Sequence, residues 1–203
     1  VLAEVSWEMR VCGYPNSSPF MDRAEDGFEN RIAEILAAEL GATLTYNWWP
    51  QSETMLSTQL AEGNCDVLMG IPDGFEGLLT TVAYYRAPYV FVQRTDAQTH
   101  SQSRDDPNIA NQKLGVQSEG IPPHDALISL GLGAQVKLAP GRHEPFNRLL
   151  EAVISGDIDL GIAWGPVAGN LARQYEADLT LTPVTPQFIP PFLSMVRPMV
   201  IGV

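Results

Sequence analysis

Three histidines and one acidic pair are the residues whose types could support catalysis. His100 lies in a polar stretch, and His124 and His143 lie just before or at the start of predicted helices. None of the three follows a predicted strand beside a serine or cysteine nucleophile, and no hydrolase, zinc-protease or P-loop motif occurs. Asp157 and Asp159 share a face only if a strand begins that early, and they lie at its amino end. We therefore predict no catalytic residues and surface or capping roles for the histidines.

The two cysteines, Cys12 and Cys65, each lie at a predicted strand, and we expect those strands to be neighbours. Adjacent strands lie about 4.8 Å apart, inside the Cα range that a disulfide tolerates. A disulfide would indicate an oxidising compartment. Two buried free thiols are the alternative. We predict no metal site, because neither cysteine has a second ligand nearby in the sequence.

Candidate binding residues lie in the segments that follow the predicted strands, near residues 13–20, 70–81, 117–122 and 164–170. In open α/β sheets a ligand lies beyond the carboxyl ends of the strands, where glycines allow close backbone approach and helix amino termini offer N–H groups. We predict that the following residues bind in the cleft: Asn16, Phe20, Thr80, Thr81, Tyr84, Gln117, Trp164 and Gly165.

Two sets of alternating strands and helices must position these residues. The segment 27–40 predicts a helix whose apolar stripe is formed by Phe28, Ile32, Ile35, Leu36 and Leu40. The other predicted helices are 53–61, 123–130, 145–154 and 166–175. In 145–154 the apolar stripe is formed by Phe146, Leu149, Leu150 and Val153. The predicted strands are 7–12, 43–49, 65–70, 83–94, 113–117, 135–138, 158–164, 179–184 and 192–203.

This alternation is typical of doubly wound α/β proteins. Two extended crossovers, near 83–94 and 186–200, join the two sets. We predict a type II periplasmic-binding-protein-like fold, with two doubly wound lobes joined by two crossover strands. Lobe 1 comprises residues 1–92 plus 186–203, lobe 2 comprises 110–185, and 93–109 form a polar loop between them. Such lobes can hinge, and the cleft between them is the default ligand site.

The charge balance limits the possible partners. The 203 residues include 24 acidic and 12 basic residues, a net charge of −12. This argues against nucleic acid and anionic membranes as partners. It suits a basic protein partner, although solubility alone is an alternative explanation. No apolar run of about 18 residues occurs, so we predict no membrane insertion.

The ends of the sequence raise two further expectations. The chain leads from Val1 straight into a strand, so we expect that any signal peptide has been removed. The last predicted strand ends at Val203 without a cap or a polar tail, so we expect the natural chain to continue.

Several segments together resemble one family. They are RVCGYPNSSPF, DGFENRIAEILAAELGATLTYNWWPQ, CDVLMG, TTVAYYRAPYVFVQR and SGDIDLGIAWGPVAGNLA. They resemble the quinoprotein-dehydrogenase-associated, solute-binding-protein-like family, the MoxJ/XoxJ proteins, over nearly the whole chain. The combination is much more specific than the solute-binding fold alone.

The resemblance implies a non-catalytic periplasmic accessory protein of a PQQ-dependent methanol dehydrogenase, often one that uses a lanthanide. It implies that the chain binds the dehydrogenase, or a segment of it, in the interlobe cleft and assists its activation or maturation. The PQQ and the metal would belong to the dehydrogenase, so we expect no cofactor in this chain. The alternative is a solute-binding receptor of an ABC importer for a small organic ligand.

Departures from amino-acid-binding relatives favour the accessory role. Those relatives clamp the ligand carboxylate with an arginine before their F-S-x-P-Y stretch. Here Arg86 is offset into the crossover, and Trp164 replaces the aspartate that holds the ligand ammonium. A zwitterion bound without these partners would keep two desolvated, unpaired charges, at a cost of several kcal/mol. We therefore expect an aromatic cleft that does not bind amino acids in the usual way.

Overall fold

A computed structural model describes residues 7–49, 55–138, 145–175, 179–189 and 193–203. The chain divides into two compact units. Unit 1 comprises Val1–Arg86 and Pro198–Val203, and unit 2 comprises Ala87–Arg197. The chain therefore passes from unit 1 to unit 2 once and returns once.

Unit 1 contains a sheet with one long helix and one short helix. In chain order its elements are β1 (Glu8–Gly13), β2 (Asn16–Ser17), β3 (Met21–Asp22), α1 (Phe28–Leu40), β4 (Thr43–Trp48), α2 (Met55–Ala61) and β5 (Val67–Pro72). Strand β1 pairs in parallel with β4 and with β5. Strands β2 and β3 form a small antiparallel hairpin between β1 and α1, where no strand is predicted from the sequence.

The strands of unit 2 pair in both parallel and antiparallel fashion. The remaining elements are β6 (Tyr85–Arg94), β7 (Leu114–Val116), α3 (Pro122–Ser129), β8 (Val136–Leu138), α4 (Pro145–Ser155), β9 (Leu160–Trp164), α5 (Gly165–Gln174), β10 (Leu179–Pro183), β11 (Phe188–Ile189), β12 (Leu193–Ser194) and β13 (Val196–Gly202). From Pro198 onward β13 belongs to unit 1, where it pairs antiparallel with β5. Short 3-10 helices span Pro107–Asn111 and Gly133–Gln135. Strand β9 pairs in parallel with β7 and antiparallel with β6, and the outer pairs are β7 with β8 and β6 with β10.

The predicted fold class is confirmed: two α/β units are joined by two crossover strands, β6 and β13. The unit boundaries fall inside these strands, after Arg86 and after Arg197, whereas the predicted lobe 1 includes 87–92 and 186–197. The reason is pairing, because Tyr89–Val92 pair with β9 of unit 2. Strand β6 also extends to Arg94, which shortens the predicted polar loop at its start.

The core of unit 1 differs from the predicted helix stripe. Helix α1 turns the small residues Ala33 and Ala37 toward the sheet, and both are buried. Ile35 is 62% exposed and Leu40 is 54% exposed, so these two members of the predicted stripe face outward. The helix is thus rotated from the prediction, because alanines rather than large apolar residues make the close approach to the sheet.

The core of unit 2 is apolar and follows the prediction closely. Leu149, Leu150 and Val153 of α4 are fully buried, as their spacing predicts. Phe91 of β6 packs with Leu160 of β9 and their neighbours in one continuous cluster.

None of the helices within the described ranges has the length and apolar character that a membrane-spanning helix requires.

Candidate functional site

A buried carboxyl group is the centre of the most chemically distinctive cluster in unit 1. Glu29 lies in the first turn of α1 and is 4% exposed. The Tyr84 hydroxyl donates a hydrogen bond of 2.5 Å to Glu29 Oε1, and the Tyr85 hydroxyl lies 3.4 Å from the same oxygen. The backbone N–H of Gly70 in turn donates to the Tyr84 hydroxyl at 3.1 Å. Helix α1, strand β5 and the start of β6 are therefore linked through one carboxyl group.

The helix begins against the preceding segment rather than with a side-chain cap. The N–H groups of Phe28 and Glu29 donate to the carbonyl oxygens of Pro19 and Phe20, at 3.0 Å and 2.8 Å. A Cβ on Gly27 would lie 2.2 Å from the Phe20 oxygen, so only glycine allows this contact. These two amino-terminal N–H groups of α1 are thus occupied within the protein, although such groups are candidate ligand donors in the sequence analysis.

Gly70 makes room for the carboxyl group. Its φ of +67° lies in the left-handed region, where residues with a side chain are strained. A Cβ built on Gly70 would lie 2.7 Å from both carboxylate oxygens of Glu29. The carboxyl group therefore rests directly on the backbone of β5.

Four aromatic rings form a row beside the carboxyl group. The centroid distances are 5.5 Å from Phe20 to Phe28, 5.2 Å from Phe28 to Tyr85, and 4.9 Å from Tyr85 to Tyr84. All three pairs meet edge to face, which is a favourable arrangement for aromatic rings. The row joins the segment before α1 to the start of the first crossover strand.

The electrostatics of the cluster follow from burial. Burial raises the pKa of Glu29 to about 7, and the hydrogen bonds from the two tyrosines oppose this effect only in part. Burial, followed by the negative charge of Glu29, raises the pKa of the Tyr84 hydroxyl. Near neutral pH the phenol therefore keeps its proton, while the carboxyl group lies near the midpoint between its protonated and ionised forms.

The predicted unit 1 residues divide into two groups. Phe20 and Tyr84 belong to the cluster around Glu29. Asn16 is exposed in the β2–β3 hairpin, and Thr80 bridges to Gly202 at the end of β13. The Thr81 hydroxyl accepts the Ile201 N–H at 3.1 Å and donates to the Val82 carbonyl. Thr81 is thus engaged in holding β13, a role that its position in the sequence does not predict.

The predicted unit 2 residues lie at strand ends, as expected. Gln117 follows β7 and is 8% exposed, and Trp164 ends β9 and packs against the core. Gly165 begins α5, and a Cβ there would lie 2.8 Å from the Pro88 carbonyl oxygen. Packing against β6 therefore explains this glycine without a ligand. The ligand-binding role of the eight candidate residues stays a prediction.

The residues first considered for catalysis are dispersed. His100 is exposed, His124 Nδ1 lies 3.4 Å from the Gly120 N–H, and His143 lies outside the described residues. Asp157 accepts a hydrogen bond from Ser155 in a surface turn, and Asp159 accepts the Lys113 N–H at 2.9 Å. Within the described ranges, no group of three or more His, Cys, Asp or Glu side chains is placed to hold a metal ion.

The structure joins Cys12 and Cys65 in a disulfide, with a Cα–Cα distance of 5.6 Å. Both cysteines are buried. Cys12 lies in β1, and Cys65 lies two residues before β5, which pairs with β1 as expected. The cross-link thus fastens β1 to the segment that leads into β5, within an apolar cluster that includes Leu68 and Val200.

Glu29 is the residue of this cluster that the sequence does not predict. A carboxyl group on the inner face of a helix contradicts the usual apolar pattern, because ionisable residues are rarely fully buried. The sequence indicates three of the four rings as aromatic residues near strand ends, namely Phe20, Tyr84 and Tyr85, but it does not indicate that they form a row. No spacing in the sequence connects these residues to Glu29.

Comparisons of the sequence and of the structure with known proteins identify similar relatives. No family model matches the chain. Protein MoxJ of Paracoccus denitrificans is 32% identical over 190 residues, which cover 87% of this chain and 69% of that protein. The periplasmic binding protein XoxJ of Methylobacterium extorquens AM1 is 30% identical, with a TM-score of 0.74 over 96% of this chain and 84% of that chain. MxaJ of Methlophaga aminisulfidivorans MPT is 21% identical and shares the fold, with a TM-score of 0.82 over 96% of this chain and 86% of that chain.

Proposed function

The chain belongs to the MoxJ family of periplasmic-binding-protein-like proteins, and from this premise we propose that it is a non-catalytic periplasmic accessory protein of a PQQ-dependent methanol dehydrogenase. The observation that carries the proposal is the 32% identity to MoxJ over most of the chain. The PQQ and the metal, calcium or a lanthanide, would be bound by the dehydrogenase.

The distribution of charge supports a protein partner. Unit 1 contains 13 acidic and 4 basic residues, a net charge of −9, whereas unit 2 contains 11 acidic and 8 basic residues, a net charge of −3. Such an asymmetric field would steer a basic surface of the dehydrogenase toward unit 1. Binding would therefore weaken as ionic strength rises.

The binding residues would be those at the strand ends. We place Trp164 and Gln117 in unit 2, and Thr80 in unit 1, among the residues that receive a segment of the dehydrogenase. Large aromatic side chains carry much of the energy in protein interfaces. Binding of this kind would assist activation or maturation of the dehydrogenase.

The buried disulfide supports a periplasmic location. The Cys12–Cys65 bond is of the kind that persists in oxidising compartments, of which the bacterial periplasm is one. XoxJ, which shares the fold and 30% of the sequence, is described as a periplasmic binding protein.

A binding measurement tests the proposal. Purified methanol dehydrogenase is immobilised, and the binding of the wild-type chain is compared with that of Trp164→Ala and of Ile128→Ala. Ile128 is 51% exposed on α3 and serves as the matched control. We expect the wild type and the control to bind alike, and Trp164→Ala to bind roughly tenfold or more weakly, as at an interface hot spot.

The alternative function gives a different result. A solute-binding receptor would show no binding to the dehydrogenase at low ionic strength, and calorimetry would detect tight binding of a small organic ligand. That pair of results would reject the accessory role. Equal binding of all three proteins to the dehydrogenase would support the dehydrogenase as the partner but would reject Trp164 as a contact residue.

A further inference from the structure

The cluster around Glu29 lies where the chain crosses between the units. Tyr84 and Tyr85 immediately precede the boundary after Arg86. The Tyr84 N–H donates to the carbonyl oxygen of Met199 at 3.0 Å, and Met199 is the second residue of the returning segment. Tyr84, the residue before β6, therefore contacts the returning strand β13 through its backbone and Glu29 through its side chain.

The contacts form a short chain of hydrogen bonds. The Gly70 N–H donates to the Tyr84 hydroxyl, and this hydroxyl donates to Glu29 Oε1. Because Gly70 lies under the carboxyl group and has φ of +67°, there is no space for the carboxyl group to move toward β5. When the carboxyl group leaves its position, Tyr84 loses its acceptor and the Gly70 N–H loses a fixed partner.

Among the residues that the structure describes, the groups placed against the carboxyl are phenols and backbone rather than cations. The tyrosines at the start of β6 supply the two hydroxyls, β5 supplies Gly70, and the Phe28 ring of α1 itself packs on Tyr85. On the hairpin side, Asp22 accepts the Asp26 N–H, and its own N–H donates to the Asn30 side chain. Burial is the largest influence on the ionisation of Glu29, and the two tyrosines are the next.

We propose that the Glu29 carboxyl group is a pH-sensitive latch that fastens the entry of the first crossover strand to unit 1. The protonated carboxyl group is accommodated in its buried position at little cost. The ionised group prefers water, so ionisation favours local opening in which Glu29 and Tyr84 separate. This inference rests on unit 1 alone and is independent of any partner.

The direction of the pH effect follows from linkage. The pKa of Glu29 is raised from its ordinary value of 4.5 to about 7 in the closed cluster. Between these values the closed form holds a proton that the open form releases, so the closed form is most favoured at low pH and loses its advantage as pH rises through about 7. From pH 6 to pH 8 the opening equilibrium therefore increases about tenfold.

The Gly70 amide reports this opening directly. Its hydrogen exchange is measured by NMR at pH 6 and pH 8 and is corrected for the intrinsic exchange rate at each pH. We compare the wild type with Glu29→Gln and with Glu39→Gln, an exposed glutamate on the same helix. We expect a corrected increase of about tenfold in the wild type and in Glu39→Gln. Glu29→Gln should show no pH-dependent increase.

A second measurement keeps the inference testable if Glu29→Gln does not fold. The carboxyl carbon of Glu29 is titrated by NMR in the wild-type protein. A midpoint near 7 supports the latch, whereas a midpoint near 4.5 overturns it. The latch is also overturned if Glu29→Gln retains the full tenfold pH dependence of the wild type.

Discussion

Units 1 and 2 are built from the same alternation of strands and helices, yet they bury different groups. Unit 2 buries an apolar cluster around Phe91 and Leu160, and its buried polar side chains, Gln93, Ser101 and Gln117, are uncharged. Unit 1 buries the carboxyl group of Glu29 and carries a disulfide. Within the residues that the structure describes, the buried carboxyl group therefore belongs to the unit that also carries most of the net charge.

This difference separates two roles for a core. An apolar core responds little to pH and stabilises its unit through packed volume. A core with a buried carboxyl group gives up stability in exchange for sensitivity to pH, because the charged form is poorly solvated there. A disulfide suits such a unit, since it restricts the unfolded chain without depending on pH over the neutral range.

The largest effect on stability is expected from Phe91→Ala in unit 2. Phe91 is 1% exposed, and its truncation should destabilise unit 2 by about 4 kcal/mol through lost burial and a cavity. Three of the four tryptophans, Trp7, Trp48 and Trp49, lie in unit 1, and Trp164 lies in unit 2. Urea unfolding is followed by fluorescence with and without Trp164→Phe, so that the two units are observed separately. If both fluorescence signals report the same loss in free energy of unfolding, the two units unfold together. That result would contradict the view that the two cores stabilise their units separately.

Removal of the disulfide should have the next largest effect, and it should act on unit 1. The bond spans a sequence separation of 53, and Cys12→Ala with Cys65→Ala should destabilise unit 1 by about 3 kcal/mol. The unit 1 tryptophans should report the loss in urea unfolding, while the Trp164 signal changes little. Mass spectrometry first checks the bond, because reduction must add two hydrogens. Equal masses with and without reductant would contradict the cross-link.

Much of the fold follows from the sequence because its signals are local. The spacing of Leu149, Leu150 and Val153 predicts the buried face of α4, and the expected pairing of the strands at Cys12 and Cys65 favours the disulfide that forms. In helix α1 the hydrophobic pattern predicts the wrong buried face. The pattern favours the large apolar residue Ile35, but the small residues Ala33 and Ala37 are the buried ones. Close packing of the helix on the sheet selects the small residues, and this is a tertiary effect.

The candidate site was only partly predictable for a similar reason. Phe20 and Tyr84 follow from their positions near strand ends and crossovers. Glu29 becomes visible only when α1, β5 and β6 are in place, since its partners are 41 and 55 residues away in the sequence. The left-handed backbone of Gly70, which gives the carboxyl group its space, likewise has no distinct signature in the sequence.

The smallest of these expected effects, from Gly70→Ala, tests the contact between β5 and the carboxyl group most directly. Gly70 and Gly74 both have positive φ, of +67° and +84°, but no atom lies within 4 Å of a Cβ placed on Gly74. Gly74→Ala should therefore cost about 1 kcal/mol for backbone strain alone. Gly70→Ala adds a clash with Glu29 and should cost about 2 kcal/mol in total, measured by urea unfolding in the Trp164→Phe background at pH 6.

The pH dependence separates the clash from the strain. A methyl group on Gly70 should push the carboxyl group toward solvent, because the strand backbone beneath it cannot yield as easily as a side chain. Burial would then raise the pKa of Glu29 less, and the loss of stability between pH 6 and pH 8 should shrink in Gly70→Ala but remain in Gly74→Ala. The two variants could instead lose the same stability and keep the same pH dependence. Gly70 would then be needed only for the left-handed backbone conformation within β5, and it would not shape the buried carboxyl site.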